Sequence, residues 1–175
     1  SKCTNVIVRR SPTHYCLWKK EVIILTNSIR HKCFISYHHD DQLAVEHFIR
    51  TFDQQHDVFI SRAVGIDQNI VDSTDPDYIM RRIRERYLTD STVTIVMIGR
   101  CTWARKYVDW EIASTLRNDL NNKRSGLVAI QLPNVPDSAK VPDRFNDNLT
   151  AGYAKYYRYP TTAGGLESII NEAFE

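Results

Sequence analysis

Two short stretches hold the side chains with the most chemical capacity, S36-Y-H-H-D-D41 and R105-K-Y-V-D-W-E-I-A-S114. In the first, Ser36 can donate to a phosphate or ribose and Tyr37 can stack on a base. His38 can bond a phosphate or orient a carboxylate, and Asp41 can fix the loop. The same residues also read as a helix start, with Asp40 or Asp41 as N-cap and the histidines facing water. In the second stretch Glu111 is a carboxylate set among aromatic residues. Helical spacing places Tyr107, Val108, Glu111 and Thr115 on one face, so the acid points toward a pocket or core wall. The competing reading is a solvated glutamate paired with a lysine or arginine. Trp103 and Trp110 add planar surfaces nearby, either as core or as ligand wall.

Other chemistries find less support. His38 and His39 are adjacent and point apart in extended chain, and no HxH, HExxH or paired cysteines complete a ligand shell, so no metal site is expected. The four cysteines, Cys3, Cys16, Cys33 and Cys101, form no CxxC pair. A chain of this length needs no disulfide framework. Cys33 opens an apolar strand and reads as a small buried hydrophobe, and Cys101 has no evident activating partner. Loops of the GxGxxG or GxxxxGK[ST] type are absent, so a nucleotide would need another means of attachment.

The elements that must position these residues alternate along the chain. KCFISY (32–37), HDVFIS (56–61), TVTIVMIG (92–99), GLVAIQL (126–132) and AKYYRY (154–159) have strand length and β-branched or aromatic enrichment. The third and fourth are nearly continuous apolar runs, as inner strands of a parallel sheet covered on both faces require. DDQLAVEHFIRTF offers Leu43, Val45, Phe48, Ile49 and Phe52 to a sheet. Tyr78 to Leu88 repeats Ile79, Ile83 and Tyr87 every four residues behind an Asp75–Pro76 start signal. Lys106 to Leu120 supplies another helix. Pro133, Pro136 and Pro142 mark a long connection, and Gly164–Gly165 break the chain before a final helix, LESIINEAF. The expected fold is α/β, a flavodoxin-like three-layer sandwich with a five-stranded parallel sheet, whose sites lie beyond the carboxyl ends of the strands. Residues 1–31 are expected to be an N-terminal extension and 32–175 the domain.

The 175 residues fit one domain, and 42% apolar with 25% charged is an ordinary soluble balance. A formal charge of +2 without a basic block argues against nucleic acid as a partner. VIILT (22–26) is far too short for a bilayer and no leader pattern is visible, so a cytoplasmic protein without membrane attachment is expected.

Taken together, C33-F-I-S-Y-H-H-D-D41 and T92-V-T-I-V-M-I-G-R-C-T-W-A-R-K-Y-V-D-W-E-I112 resemble the Toll/interleukin-1 receptor (TIR) domain. The similarity is to the TIR-like proteins of bacterial Thoeris antiphage defence, and it extends over residues 32 to 160. The chain has WARKYVDWE rather than a tight W-C-x-x-E, and lacks the usual Pro-Gly element after its second strand. The resemblance implies NAD as a substrate rather than a cofactor, and cleavage of its nicotinamide–ribose bond. It implies that Glu111 is catalytic and that Phe34, Ser36, Tyr37 and His38 line the nucleotide site, with Asp41 and Trp110 also on the substrate side. It further implies an ADP-ribose-derived signal, a cyclic isomer or another ADP-ribose-based molecule in related Thoeris proteins, that diffuses to a separate effector. Adaptor members of the family work instead through TIR–TIR contacts, which makes a noncatalytic adaptor the alternative. A flavodoxin-like or response-regulator-like binding module would need a flavin loop or an acidic phosphoacceptor cluster, and neither is evident.

Overall fold

The computed structural model describes residues 30–64, 75–118, 124–133 and 135–175. The expected extension, residues 1–31, lies outside the described residues except for Arg30 and His31. The strands are β1 (Lys32–Ser36), β2 (Ile60–Val64), β3 (Val93–Ile98), β4 (Gly126–Gln131) and β5 (Lys155–Tyr157). They form one sheet in the order β2-β1-β3-β4-β5, and every pairing is parallel. The helices are α1 (Gln42–Ile49), α2 (Pro76–Ile83), α3 (Lys106–Thr115), α4 (Asp143–Thr150) and α5 (Ala163–Phe174). Single π-helical segments, Arg50–Gln55 and Arg84–Leu88, prolong α1 and α2. Among the described residues no helix is long and apolar enough to cross a membrane.

Strand alternation divides the core between two faces. Cys33 and Ile35 of β1 join Val93, Ile95 and Met97 of β3 beneath Val45, Phe48 and Ile49 of α1 and Leu166 and Ile170 of α5. On the other face Phe34 meets Ile79 and Ile83 of α2, while Val96, Ile98 and Leu127 meet Val108 and Ile112 of α3 and Phe145 of α4. Burial on both faces explains why β3 is apolar at nearly every position, and it gives the expected three layers. The start of α2 is also as expected: the Asp75 carboxylate accepts from the Asp77 N–H at 3.0 Å, with Pro76 at the first helical position.

Several local expectations change. The second strand begins at Ile60, because the π-helical continuation of α1 runs to Gln55 and the chain then turns through Asp57, whose φ of 58° is left-handed. Val58 N–H closes that turn on Phe52 C=O at 2.8 Å, so the HDV of the apolar run belongs to a helix exit. Leu43 is 83% exposed rather than set against the sheet. Two residues lie roughly 200° apart on an α-helix, so with Val45 inward Leu43 must point out. α3 ends at Thr115, short of Leu120. The connection after β4 contains α4, which the prolines obscured although Phe145 and Leu149 are spaced for one helix face. Gly164 and Gly165 lie inside the first turn of α5, where Thr162 Oγ1 caps the Gly165 N–H at 3.1 Å, instead of breaking the chain.

Candidate active site

The chain runs from β1 outward to β2 and then returns to the other side of β1 as β3, so the sheet changes direction between β1 and β3. In open α/β sheets that switch point opens a crevice at the carboxyl ends of the strands. Ser36 is the last residue of β1, and Gly99 follows the end of β3. Ser36 lies two positions after Phe34, so both side chains face the α2–α3 layer. There Ser36 Oγ donates to Glu111 Oε2 at 2.5 Å, and both side chains are buried, Glu111 with only 2% of its surface exposed. The helix face expected for α3 holds, since Val108, Glu111 and Thr115 are all buried and Tyr107 is half-buried.

A second hydrogen-bonded pair extends this polar strip. Thr115 Oγ1 lies 2.9 Å from Thr94 Oγ1 of β3 and donates to the Glu111 C=O at 2.9 Å. Residue types alone did not single out these threonines. Their signal is a polar residue inside the otherwise apolar β3 and another one helical turn beyond Glu111.

The loops above the pair are tied to each other. The Asp41 carboxylate packs over Gly99 so closely that a Cβ on Gly99 would stand 1.9 Å from Asp41 Oδ2. Burial raises the Asp41 carboxyl above its ordinary range; His38 opposes the shift and Asp40 adds to it. Thr102, fully buried, accepts from Gly99 N–H at 2.8 Å and lies 3.3 Å from Met97 C=O, which fixes the turn after β3. Gly99 and Thr102 were also missed in the sequence, because their role is contact with the other loop.

The remaining expected site residues have distinct places. Tyr37 is half-buried, and its phenol is raised first by burial and then by the charges of Glu46 and Glu111, so it shares the neighbourhood of the acid. His38 Nδ1 accepts from Asp40 N–H at 3.1 Å and caps the 3₁₀ turn His39–Asp41. This corrects the capping expectation, since Asp41 makes no side-chain cap bond to α1. Phe34 is fully buried, as Ser36 is, and packs against Ile79, Ile83 and Leu88. Trp110 is half-buried at the edge of the same cluster, edge-on to Tyr107 at 5.1 Å and with Lys106 Nζ 4.8 Å from its ring centre. Cys33 is buried and its thiol is raised mainly by burial, whereas Cys101 is exposed. Among the described residues no three His, Cys, Asp or Glu side chains converge as a metal shell would require.

The family model of the Thoeris protein ThsB TIR-like domain matches residues 34–137, more than half of the chain. No curated protein sequence matches. Among solved structures, the crystal structure of the RPS4 and RRS1 TIR domain heterodimer is similar, at 12% identity over 83% of this chain and 96% of that one, with a TM-score of 0.44. By the match to its family model, reached over both the Ser36 and Glu111 segments, this chain belongs to the Thoeris ThsB TIR-like domain family.

Proposed function

We propose that the protein cleaves the nicotinamide–ribose bond of NAD with Glu111 as the catalytic carboxylate, producing an ADP-ribose-derived signalling nucleotide in antiviral defence. The observation that carries this reading is the Glu111 carboxylate held by Ser36 at the switch point of the sheet. One acid suffices for the chemistry. Nicotinamide departs as a neutral molecule from a cationic pyridinium, so it needs no general acid. Positive charge grows on the ribose, and a carboxylate kept from bulk water stabilises it strongly. Ordinary glycosidases use two carboxylates because their leaving group is poor. Capture of the ribosyl cation by water gives ADP-ribose, and capture by a group of the same molecule gives a cyclic isomer. In this reading Tyr37, His38, Asp41 and Trp110 bound the substrate, the product diffuses to a separate effector, and the protein is cytoplasmic.

A noncatalytic adaptor is the second reading, favoured by the burial of both Ser36 and Glu111. Under the catalytic reading, TIR–TIR contacts in a homo-oligomer open the pair to NAD. The test is NAD incubated with the purified protein over a range of protein concentrations, with products resolved by mass spectrometry. Free nicotinamide is expected, and Glu111→Gln should lower its release by at least about 100-fold, roughly 3 kcal/mol of transition-state stabilisation. Equal release by the folded glutamine variant would remove Glu111 from catalysis. No release at any concentration would leave the adaptor.

A further inference from the structure

Residues 81 to 106 hold seven Lys and Arg against Glu85 and Asp90, while the whole chain carries only +2. β3 runs through the middle of that segment and brings α3 beside α2, where Ser114 Oγ donates to Met80 C=O at 3.2 Å. Most of the cations that flank the strand in sequence therefore end on one side of the sheet, on α2 with its continuation and at the start of α3.

That side carries a rim of aromatic rings with cations over them. Tyr87, Tyr107 and Trp110 pack, half-buried, around the cluster of Phe34, Ile79, Ile83 and Leu88. The Arg86 guanidinium carbon lies 5.9 Å from the Tyr87 ring centre and that of Arg105 lies 5.5 Å from the Tyr107 ring centre. Lys106 Nζ stands 4.8 Å from the ring of Trp110. On α2 itself Arg81 lies 5.3 Å from the ring of the exposed Tyr78. None of these four cations has a carboxylate at ion-pair distance among the described residues. The acids among them are already taken, Glu85 by Arg82 and Asp109 by Arg144, each at 3.1 Å. A ring beneath a cation limits its side-chain freedom before any partner arrives and leaves N–H donors to receive one.

We propose that this rim binds an acidic polypeptide segment of another protein, whose Asp and Glu carboxylates are received by Arg86, Arg105 and Lys106, with Arg81 beside them. A guanidinium takes a carboxylate through two parallel N–H···O bonds, so the arginines fix where the acids must stand. Nucleic acid fits this surface less well. Bases need free ring faces to stack on, and here the rings are half-buried and already covered by cations. Glu85 and Asp109 also interrupt the positive charge, which suits separate carboxylates better than an unbroken run of phosphates. A second copy of this chain would bring the same positive rim and a net charge of +2, so the complementary charge belongs on a different protein. The interaction does not depend on chemistry at Glu111.

The test is fluorescence anisotropy of a fluorescein-labelled decaglutamate peptide titrated with the whole chain, without NAD. Ten residues extend to about 33 Å, long enough to follow the rim of one cluster. Saturable binding is expected, weakened at least about tenfold by Arg86→Glu and likewise by Arg105→Glu, as reversal of a charge-assisted contact requires. Arg50→Glu changes the net charge equally but lies on the α1 side of the sheet, and it should leave binding unchanged. Unchanged urea midpoints show that the variants fold, and Arg86→Gln and Arg105→Gln replace any that do not. Decathymidylate and phosphatidylserine vesicles should displace the labelled peptide less well than unlabelled decaglutamate does. Binding that Arg50→Glu weakens as much as Arg105→Glu would reduce the effect to overall charge and overturn the proposal. Tighter binding of the oligonucleotide or the vesicles, or no peptide binding, would overturn it too. Self-association seen by sedimentation and lost in Arg105→Glu, with no peptide bound, would assign the rim to a second copy instead.

Discussion

Removing the Ser36 hydroxyl tests how the buried acid is held. Ser36 Oγ and Glu111 Oε2 are 2.5 Å apart, with the serine fully buried and the glutamate 2% exposed. A hydrogen bond to a buried charged group is worth about 1.5–3 kcal/mol, and one between neutral groups about 0.5–1.5 kcal/mol. Ser36→Ala should therefore destabilise the parent by about 1.5–3 kcal/mol. At roughly 2–4 °C per kcal/mol for a domain of this size, the midpoint falls by about 3–12 °C. Glu111→Gln removes the charge and keeps an oxygen that accepts from Ser36, so it supplies the neutral background for the cycle. In the glutamine background Ser36→Ala should cost only the neutral amount. The coupling in this double-mutant cycle is then about 1 kcal/mol or more. The assay is urea unfolding of the four proteins with a shared m-value. An equal cost of Ser36→Ala in both backgrounds would refute a charged hydrogen bond. Collapse of the fold in Glu111→Gln would show that the carboxylate is structural.

Two further outcomes follow from other contacts. A Cβ at Gly126 would stand 1.9 Å from the Ala173 carbonyl oxygen and 2.6 Å from its carbon, so Gly126→Ala must push α5 off the start of β4. The expected cost is about 1–3 kcal/mol, read from the urea midpoint, and an unchanged midpoint would contradict that packing. Tyr157 donates to Glu172, and its phenol is pushed up to about 12 by burial first and then by that bond and charge. Because the folded value is the raised one, the stabilisation is complete below the ordinary value of 10.0 and is lost as pH rises through about 12. Titration of tyrosinate absorbance should show a step near 12 that Tyr157→Phe removes and Glu172→Gln moves lower.

The fold was largely legible where burial constrains sequence from two sides. β3 and β4 admit little besides apolar side chains, and Asp75–Pro76 start α2 by local bonding that sequence can display. The second strand was displaced because nothing in HDVFIS reveals that the preceding helix widens into a π-helical segment and leaves through a left-handed Asp57. The resemblance implies one site for Ser36 and Glu111, whereas their direct contact and burial are not legible in the sequence. Those depend on the packing distance between β1 and α3. Phe34 shows the same limit: an aromatic residue near a strand end looks alike as pocket wall or as core, and its packing under α2 is a tertiary contact that sequence does not display. His38 displaced the aspartates as a cap because a 3₁₀ turn precedes α1 and moves the first free N–H groups upstream.

The parallel sheet has a consequence for the order in which the molecule is assembled. Among the described residues no two neighbouring strands are joined by a hairpin, and Cys33 must find Val93 before the centre of the sheet exists. Contacts so far apart in sequence close large loops before they are rewarded, which slows folding relative to hairpin-built sheets. Ser36 and Glu111 are separated by 75 positions, so no fragment that stops before α3 contains both. On a chain made from its amino end, β1 waits exposed until β3 and α3 have been synthesised and docked. The serine–glutamate pair is therefore a late product of folding, and its formation reports that the middle of the sheet is complete.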